Sequence, residues 1–188
     1  SALGSLFLML MIGDTLFCWP QKSNRQFLTP IVASLAFALS PIIIIWSRTA
    51  VSDALLTGTL GISLLLFWRR MASENNDQCI SAWLFLGFAI LTKGPVAFVL
   101  AFLTITSFLL SQNNWKMLLS KINPKKGFLI TILISVPWYI VELIKEGKPF
   151  WDNFFGYHNF QRYTSVVNNH AEPFWFFLYI MILASLPF

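Results

Sequence analysis

Charged residues are scarce in this sequence. Asp, Glu, Lys and Arg make up 11% of its 188 residues, whereas a soluble domain usually carries about a quarter. Apolar residues make up 56%, and they come in long runs rather than in alternating or amphipathic segments. This composition excludes an ordinary soluble domain and predicts an integral membrane protein.

Cysteine is scarce as well. The two cysteines, Cys18 and Cys79, each lie at the end of an apolar run. The distribution of basic residues places both ends on the cytoplasmic side, where thiols stay reduced. Their spacing matches no metal site. A disulfide framework and a cysteine metal centre are both excluded.

The sequence also lacks an initiating methionine and a signal peptide with a cleavage site. It opens with Ser1 inside one apolar run and stops at Phe188 inside another. We therefore expect an internal fragment of a larger membrane domain, from which some functional residues are absent and which is inactive on its own.

Seven apolar runs are present, and several approach the roughly 20 residues that a membrane-spanning helix needs. They predict an all-α fold, a polytopic transmembrane helical bundle that forms part of one domain. The runs cover residues 1–18, 28–46, 53–68, 79–92, 94–111, 127–144 and 173–188. Pro41 lies inside the second run, where a membrane helix tolerates a proline as a kink.

The 13 basic residues divide unequally between the two sides that these runs define. One set of connections holds Lys22, Arg25, Arg69, Arg70, Lys116, Lys121, Lys125 and Lys126, and the other holds Arg48, Lys93, Lys145, Lys148 and Arg162. The richer side is predicted to be cytoplasmic. Basic clusters placed in this way indicate topology, so we expect contact with membrane lipids and no nucleic-acid partner.

A lysine interrupts the apolar stretch 79–111, in the segment "TKGP" at residues 92–95. One continuous helix over this stretch would be about 50 Å long, far more than the ~30 Å hydrocarbon core. Gly just past one helix and Pro at the start of the next are a standard stop and restart. We predict two helices with Lys93 between them at the outer face.

Two polar clusters lie on the predicted outer side, "SRTAVSD" at residues 47–53 and "TKGP" at residues 92–95. Both have simple structural explanations. Asp53 suits the first turn of a helix, where the positive end of the dipole favours a carboxylate. Arg48 suits an interfacial anchor whose head reaches water. Lys93 suits the last turn of its helix, where a cation complements the dipole. These explanations stay open beside a functional one.

The longest polar connection, residues 145–172, holds a third cluster. Written as a helix, Trp151, Phe154, Phe155, His158 and Arg162 share one face. This pattern predicts an extracytoplasmic interfacial helix with its rings in lipid; an aromatic-anchored loop is the alternative. His158 and Arg162, one turn apart, would point together.

The three clusters together predict one polar site at the outer membrane surface. Cations at headgroup level suit the phosphate of a membrane lipid, and a nearby carboxylate suits hydroxyl groups such as those of a sugar. We predict that Arg48, Asp53, Lys93, His158 and Arg162 bind substrate there.

The ordered set "RTAVSDALLT", "GFAILTKGPVAFVL", "PWYI" and "FFGYHNFQRY…NNHAEPFWFF…SLPF" covers most of residues 45–188. It resembles bacterial polytopic glycosyltransferases of the GT-C type, the family of the lipid A aminoarabinose transferase and of relatives of dolichyl-phosphate-mannose–protein mannosyltransferases.

This resemblance implies a transferase of the bacterial cytoplasmic membrane with its active site facing outside. It implies a polyprenyl-phosphate sugar donor and a glycolipid, protein or other cell-envelope acceptor. Lys93, Arg162 and Arg48 would stabilise the leaving phosphate, and Asp53 would hold sugar or acceptor hydroxyls. His158 would donate to the phosphate or ligate a divalent metal, with His170 the second choice as ligand. The family's main acidic catalytic residue is expected N-terminal to this chain.

Two other classes of function stay open. A secondary transporter or lipid flippase would use Lys93 and Asp53 as coupling groups near the bilayer midplane. A non-catalytic membrane scaffold subunit would not need the set of cations, histidine and aspartate. Charges gathered at one membrane face favour the transferase.

Overall fold

The structure, a computed structural model, describes residues 10, 12, 28–48, 52–72, 77–152, 154 and 175–185. Within these ranges the regular elements are helices and there is no strand, as predicted for an all-α chain. The helices are α1 (Leu28–Leu39), α2 (Pro41–Arg48), α3 (Ser52–Ala72), α4 (Asp77–Lys93), α5 (Pro95–Leu110), α6 (Trp115–Lys121), α7 (Pro124–Glu146), α8 (Lys148–Phe150) and α9 (Phe176–Ser185).

Helices α3 and α4 pack as an antiparallel pair at the centre of the fold. The buried hydroxyl of Ser63 donates to the carbonyl oxygen of Ala82 at 2.8 Å, which ties the two backbones closely together. The fully buried ring of Phe67 meets Trp83 edge to face, with centroids 4.9 Å apart. Asp53, ten residues before Ser63, contacts Lys93, eleven residues after Ala82, so the two helices run in opposite directions and the start of α3 lies beside the end of α4.

The segment 79–111 is broken where the sequence predicts. α4 ends at Lys93, Gly94 adopts φ 79°, and α5 begins at Pro95. A positive φ costs glycine little, and proline at the first helical position loses no backbone hydrogen bond. The predicted break at Lys93-Gly94-Pro95 is confirmed.

A short helix, α6, follows α5 in a stretch that the sequence suggested was only a basic connection. Leu118 of α6 is buried in the core. The Cys79 thiol and the Trp83 indole N–H both donate to the carbonyl oxygen of Ile122 at 2.9 Å. Arg70 Nε, at the end of α3, donates to the carbonyl oxygen of Lys121 at 3.1 Å. The ends of α3 and α6 and the start of α4 therefore lie at one end of the bundle, away from Lys93.

Helix α7 runs parallel to α4. Its Thr131 hydroxyl donates to the carbonyl oxygen of Trp83 at 3.2 Å, and further along the Tyr139 hydroxyl donates to that of Ile90 at 2.7 Å. Gly127 allows the close approach, because a Cβ at this position would collide with the indole ring of Trp83. Helices α3, α4, α5 and α7 thus alternate in direction through the bundle.

The predicted single helix over residues 28–46 is wrong in one respect, because Ser40 separates α1 from α2. Pro41 has no N–H, and its ring crowds the carbonyl four positions earlier. Just before the proline, the Ser40 N–H donates at 3.3 Å to the carbonyl oxygen of Phe37, three positions earlier, whereas the spacing in a regular α-helix is four positions. The proline therefore ends one helix and starts another rather than kinking a continuous one.

Among the described residues, one helix is both long and apolar enough to cross a membrane: α7, Pro124–Glu146. Cys79–Lys93 and Pro95–Leu110 are apolar but shorter. The predicted run 1–18 falls almost entirely outside the described residues. The seven-span arrangement stays a prediction.

Candidate functional site

The structure brings Asp53 and Lys93 into contact. The Lys93 ammonium donates to Asp53 Oδ1, which makes an ion pair between the first turn of α3 and the last turn of α4. The Lys93 side chain is 35% exposed and that of Asp53 33%. Lys93 is therefore held by a partner at a half-buried position and does not extend freely into water.

The backbone at the end of α4 fixes where Lys93 lies. The Gly94 N–H donates to the carbonyl oxygen of Ile90 at 2.7 Å, and this bond closes the last helical turn around the lysine. The Thr92 hydroxyl donates to the carbonyl oxygen of Ala89 at 2.7 Å. Because Pro95 starts the next helix immediately, Lys93 lies at a sharp, hydrogen-bonded turn between α4 and α5, which we call the Lys93-Gly94 corner.

Asp53 is fixed by the start of α3. Its backbone carbonyl oxygen accepts a hydrogen bond from the Thr57 hydroxyl at 2.8 Å. In the first turn its carboxylate also lies near the positive end of the helix dipole. The structural explanation from the sequence is thus correct for the helix position, but the carboxylate has a second and more distant partner in Lys93.

This ion pair leaves hydrogen-bonding capacity on both sides. A lysine ammonium has three N–H donors, and a carboxylate accepts through two oxygens. Among the described residues the ammonium has one polar partner, Asp53 Oδ1. It can still donate to phosphate oxygens, while the carboxylate can still accept from a hydroxyl. The pair therefore matches a ligand that combines an anion with hydroxyl groups.

The other predicted site residues are not joined to this pair by the described contacts. Arg48 ends α2 with an exposed side chain, and Asp53 pairs with Lys93 rather than with Arg48. His158 and Arg162 lie outside the described residues, as does His170. Within the described ranges no three His, Cys, Asp or Glu side chains group so that they could hold a metal ion. The metal assignment to His158 stays a prediction.

Sequence reasoning missed Tyr139. This residue of α7 donates its hydroxyl to the carbonyl oxygen of Ile90 at 2.7 Å, the atom that also accepts from Gly94. Its ring lies 5.5 Å from that of Phe154. The motif "PWYI" drew attention to this position, but no pattern in the sequence indicates which carbonyl its hydroxyl reaches.

The comparisons with known proteins agree on one family. The family described as dolichyl-phosphate-mannose-protein mannosyltransferase matches residues 24–140. No solved structure matches the chain.

Similar curated proteins have one kind of name, undecaprenyl phosphate-alpha-4-amino-4-deoxy-L-arabinose arabinosyl transferase. The protein from Erwinia tasmaniensis is 27% identical over 97% of this chain and 32% of its own length. A second, from Pseudomonas fluorescens, is 28% identical over the same shares. One from Pseudomonas aeruginosa is 27% identical over 85% of this chain and 29% of its own length.

The chain thus spans about a third of the length of these relatives. The family match, in contrast, extends over more than half of the chain, and it confirms the resemblance that the ordered motifs indicate. The chain belongs to the dolichyl-phosphate-mannose–protein mannosyltransferase family.

Proposed function

We propose that this chain is part of an integral membrane glycosyltransferase, which moves a sugar from a polyprenyl-phosphate donor to an acceptor on the extracytoplasmic side. The observation that carries the proposal is the ion pair between Asp53 and Lys93 at one end of the bundle. The names of the similar proteins specify an undecaprenyl-phosphate sugar as donor. A lipid-linked sugar phosphate has the combination of anion and hydroxyls that this pair suits.

The surface of the helices supports a multi-pass arrangement in a membrane. Large apolar side chains along α7 are mostly exposed, with Leu133 at 73% and Leu129 at 67%. Helix α5 adds exposed Phe102 and Leu103. Apolar surface on this scale is rare on soluble monomers and marks a membrane or protein interaction site. Lipid is the covering that the predicted apolar runs favour.

The charges at the two ends of the bundle support the proposed sidedness. At the end of the bundle where α3 and α6 finish, Arg70 donates to the carbonyl oxygen of Lys121, and the Lys121 ammonium donates to that of Met71. Asp53 and Lys93 lie at the opposite end. Because lysine and arginine accumulate in cytoplasmic connections, the first end would face the cytoplasm. The ion pair would then face outside, where a lipid-linked donor presents its sugar.

The proposed mechanism is a displacement at the anomeric carbon. An acceptor oxygen forms a bond to this carbon while the bond to the phosphate oxygen of the donor breaks, and the lipid phosphate leaves with the bonding electrons. Where the acceptor is a hydroxyl, it loses its proton as the new bond forms, and the released phosphate monoester or water takes that proton up. Negative charge grows on the leaving group, so a preorganised cation lowers the barrier. Lys93 supplies that cation, with Arg48 and Arg162 as further candidates. Asp53 orients a hydroxyl of the sugar or the acceptor.

A donor panel tests the proposal. The full-length natural protein that contains this chain is purified in detergent and incubated with polyprenyl-phosphate sugars, including aminoarabinose and mannose, and with lipid A, protein and glycolipid acceptors. We expect transfer from at least one donor and release of the polyprenyl phosphate. The same protein is also reconstituted in liposomes. Movement of the intact lipid across that bilayer, without sugar transfer in either preparation, would instead support the flippase alternative and contradict the proposal.

A further inference from the structure

One backbone oxygen connects the end of α4 to α7. The carbonyl oxygen of Ile90 accepts from the Gly94 N–H at 2.7 Å and from the Tyr139 hydroxyl at 2.7 Å. The first bond belongs to the final turn of α4, and the second comes from a residue 49 positions further along the chain. The turn that presents Lys93 is therefore held from outside its own helix.

The ring of Tyr139 belongs to an aromatic cluster, which we define as Trp138, Tyr139, Phe150 and Phe154. Tyr139 lies 5.5 Å from Phe154, and Phe150 stacks on Phe154 at 5.3 Å. Trp138 meets Phe150 edge to face at 6.1 Å. The cluster holds the chain where it leaves α7 and enters the connection that contains His158, four positions after Phe154. Tyr139 thus contacts both the end of α4 and the start of this connection.

We infer that Tyr139 is a positioning residue for the proposed phosphate site, and that its hydroxyl holds the Lys93-Gly94 corner in place through the carbonyl of Ile90. This inference rests on the proposed function. Tyr139 touches neither Lys93 nor Asp53 in the described contacts and acts on them through the backbone.

The physical reason lies in the corner itself. The last turn of a helix has few backbone partners and frays easily, and Gly94 is the residue with the least conformational restriction. A second hydrogen bond on the same carbonyl limits this freedom. Catalysis by a fixed charge depends on its position, and a displacement of about 1 Å can cost on the order of a hundredfold in rate.

Tyr139→Phe isolates the hydroxyl, because it keeps the ring in the aromatic cluster and removes the bond to Ile90. Tyr179→Phe is the matched control, since Tyr179 of α9 is 59% exposed and outside this network. Both changes are made in the full-length protein, alone and combined with Lys93→Ala. Transfer from the donor found by the panel is measured as kcat/KM.

We expect Tyr139→Phe to lower kcat/KM about fivefold to tenfold, the scale for one lost hydrogen bond and a loosened charge. In the Lys93→Ala background it should change kcat/KM by less than about twofold, because the residue acts through Lys93. A merely structural role would instead lower kcat/KM by the same factor in both backgrounds. Tyr179→Phe should change neither.

Hydrogen exchange gives a measurement that does not depend on activity. Tyr139→Phe should speed exchange in the peptide covering residues 90–96, with no comparable change in peptides from α6. Unchanged exchange there, or equal losses of kcat/KM in the two backgrounds, would overturn the inference. If Lys93→Ala impairs transfer and Tyr139→Phe does not, the inference alone fails. If Lys93→Ala leaves transfer intact, the proposed site fails and the inference fails with it.

Discussion

Asp53 and Lys93, 40 positions apart in the sequence, form an ion pair between the first turn of α3 and the last turn of α4. The antiparallel packing of these helices places the positive end of one helix dipole beside the negative end of the other. Each side chain therefore complements its own helix and also its partner. The pair therefore combines a structural role at the two helix ends with the proposed role in binding substrate.

Asp53→Asn should affect catalysis more than stability. The change keeps the shape of the side chain and removes its charge. A partly exposed ion pair usually contributes only about 0–1 kcal/mol to the free energy of unfolding, so the melting temperature should move little. Transfer activity should fall at least about tenfold, because an amide holds a hydroxyl less strongly than a carboxylate does. A large fall in melting temperature with unchanged kcat/KM would assign the pair a structural role only.

Gly127→Ala should destabilise the protein strongly. The added methyl group would collide with the buried indole ring of Trp83, whose N–H is bonded to Ile122. Overpacking of this kind typically costs about 1–3 kcal/mol in the free energy of unfolding. Gly87→Ala is the graded comparison, because both glycines lie in helices where alanine gains up to about 1 kcal/mol of propensity, whereas the Gly87 methyl would lie 3.0 Å from Ile134 Cβ, a much milder contact. Thermal unfolding in detergent should show a clearly larger loss for Gly127→Ala, and equal losses would contradict the packing described for α4 and α7.

The helix break at Gly94 was predictable, because it follows from the local chemistry of glycine and proline and from the thickness of a membrane. The helix α6 was not. Seven residues are too few for an isolated helix in water. Helix α6 depends on the burial of Leu118 and on the hydrogen bonds from Cys79 and Trp83 to the carbonyl oxygen of Ile122, the residue that follows it. Such contacts join residues about 40 positions apart and leave no periodic signal.

The candidate site divides in the same way. Residue type and the predicted alternation of helices were enough to nominate Asp53 and Lys93, because charges at matching ends of neighbouring antiparallel helices must lie close together. The hydroxyl of Tyr139 reaches a backbone carbonyl, and every residue has one. Only the rotation and register of α7 against α4 select Ile90 as its partner, and neither can be read from hydrophobicity.

Cysteine labelling tests the proposed sidedness. In the full-length protein with every native cysteine, Cys18 and Cys79 among them, replaced by serine, single cysteines replace Lys116 and Lys148, which are both exposed. An impermeant maleimide should label position 148 in intact spheroplasts and position 116 only after permeabilisation. The reason is that position 116 lies in α6, at the end of the bundle where α7 begins, and position 148 lies just after α7 ends. The reverse result would place the ion pair on the cytoplasmic side and contradict the proposed reaction.

The decisive prediction concerns Lys93 itself. In the full-length protein, Lys93→Ala should lower kcat roughly a hundredfold or more, the scale for losing one preorganised charge contact to a developing anion. The remaining polar contacts of its turn, through Ile90, Gly94 and Thr92, involve the backbone or another side chain, so the helix should stay folded.

Lys145→Ala is the matched control, because this lysine is exposed in the last turn of α7 and carries the same charge. Its loss should change kcat less than about twofold, as expected for an exposed surface residue outside the site. Size-exclusion profiles and melting temperatures of both variants should match those of the unmodified protein. Near-normal transfer by Lys93→Ala would mean that the ion pair does not serve the reaction, and an equal loss in Lys145→Ala would mean that general positive charge, rather than the ion pair, does.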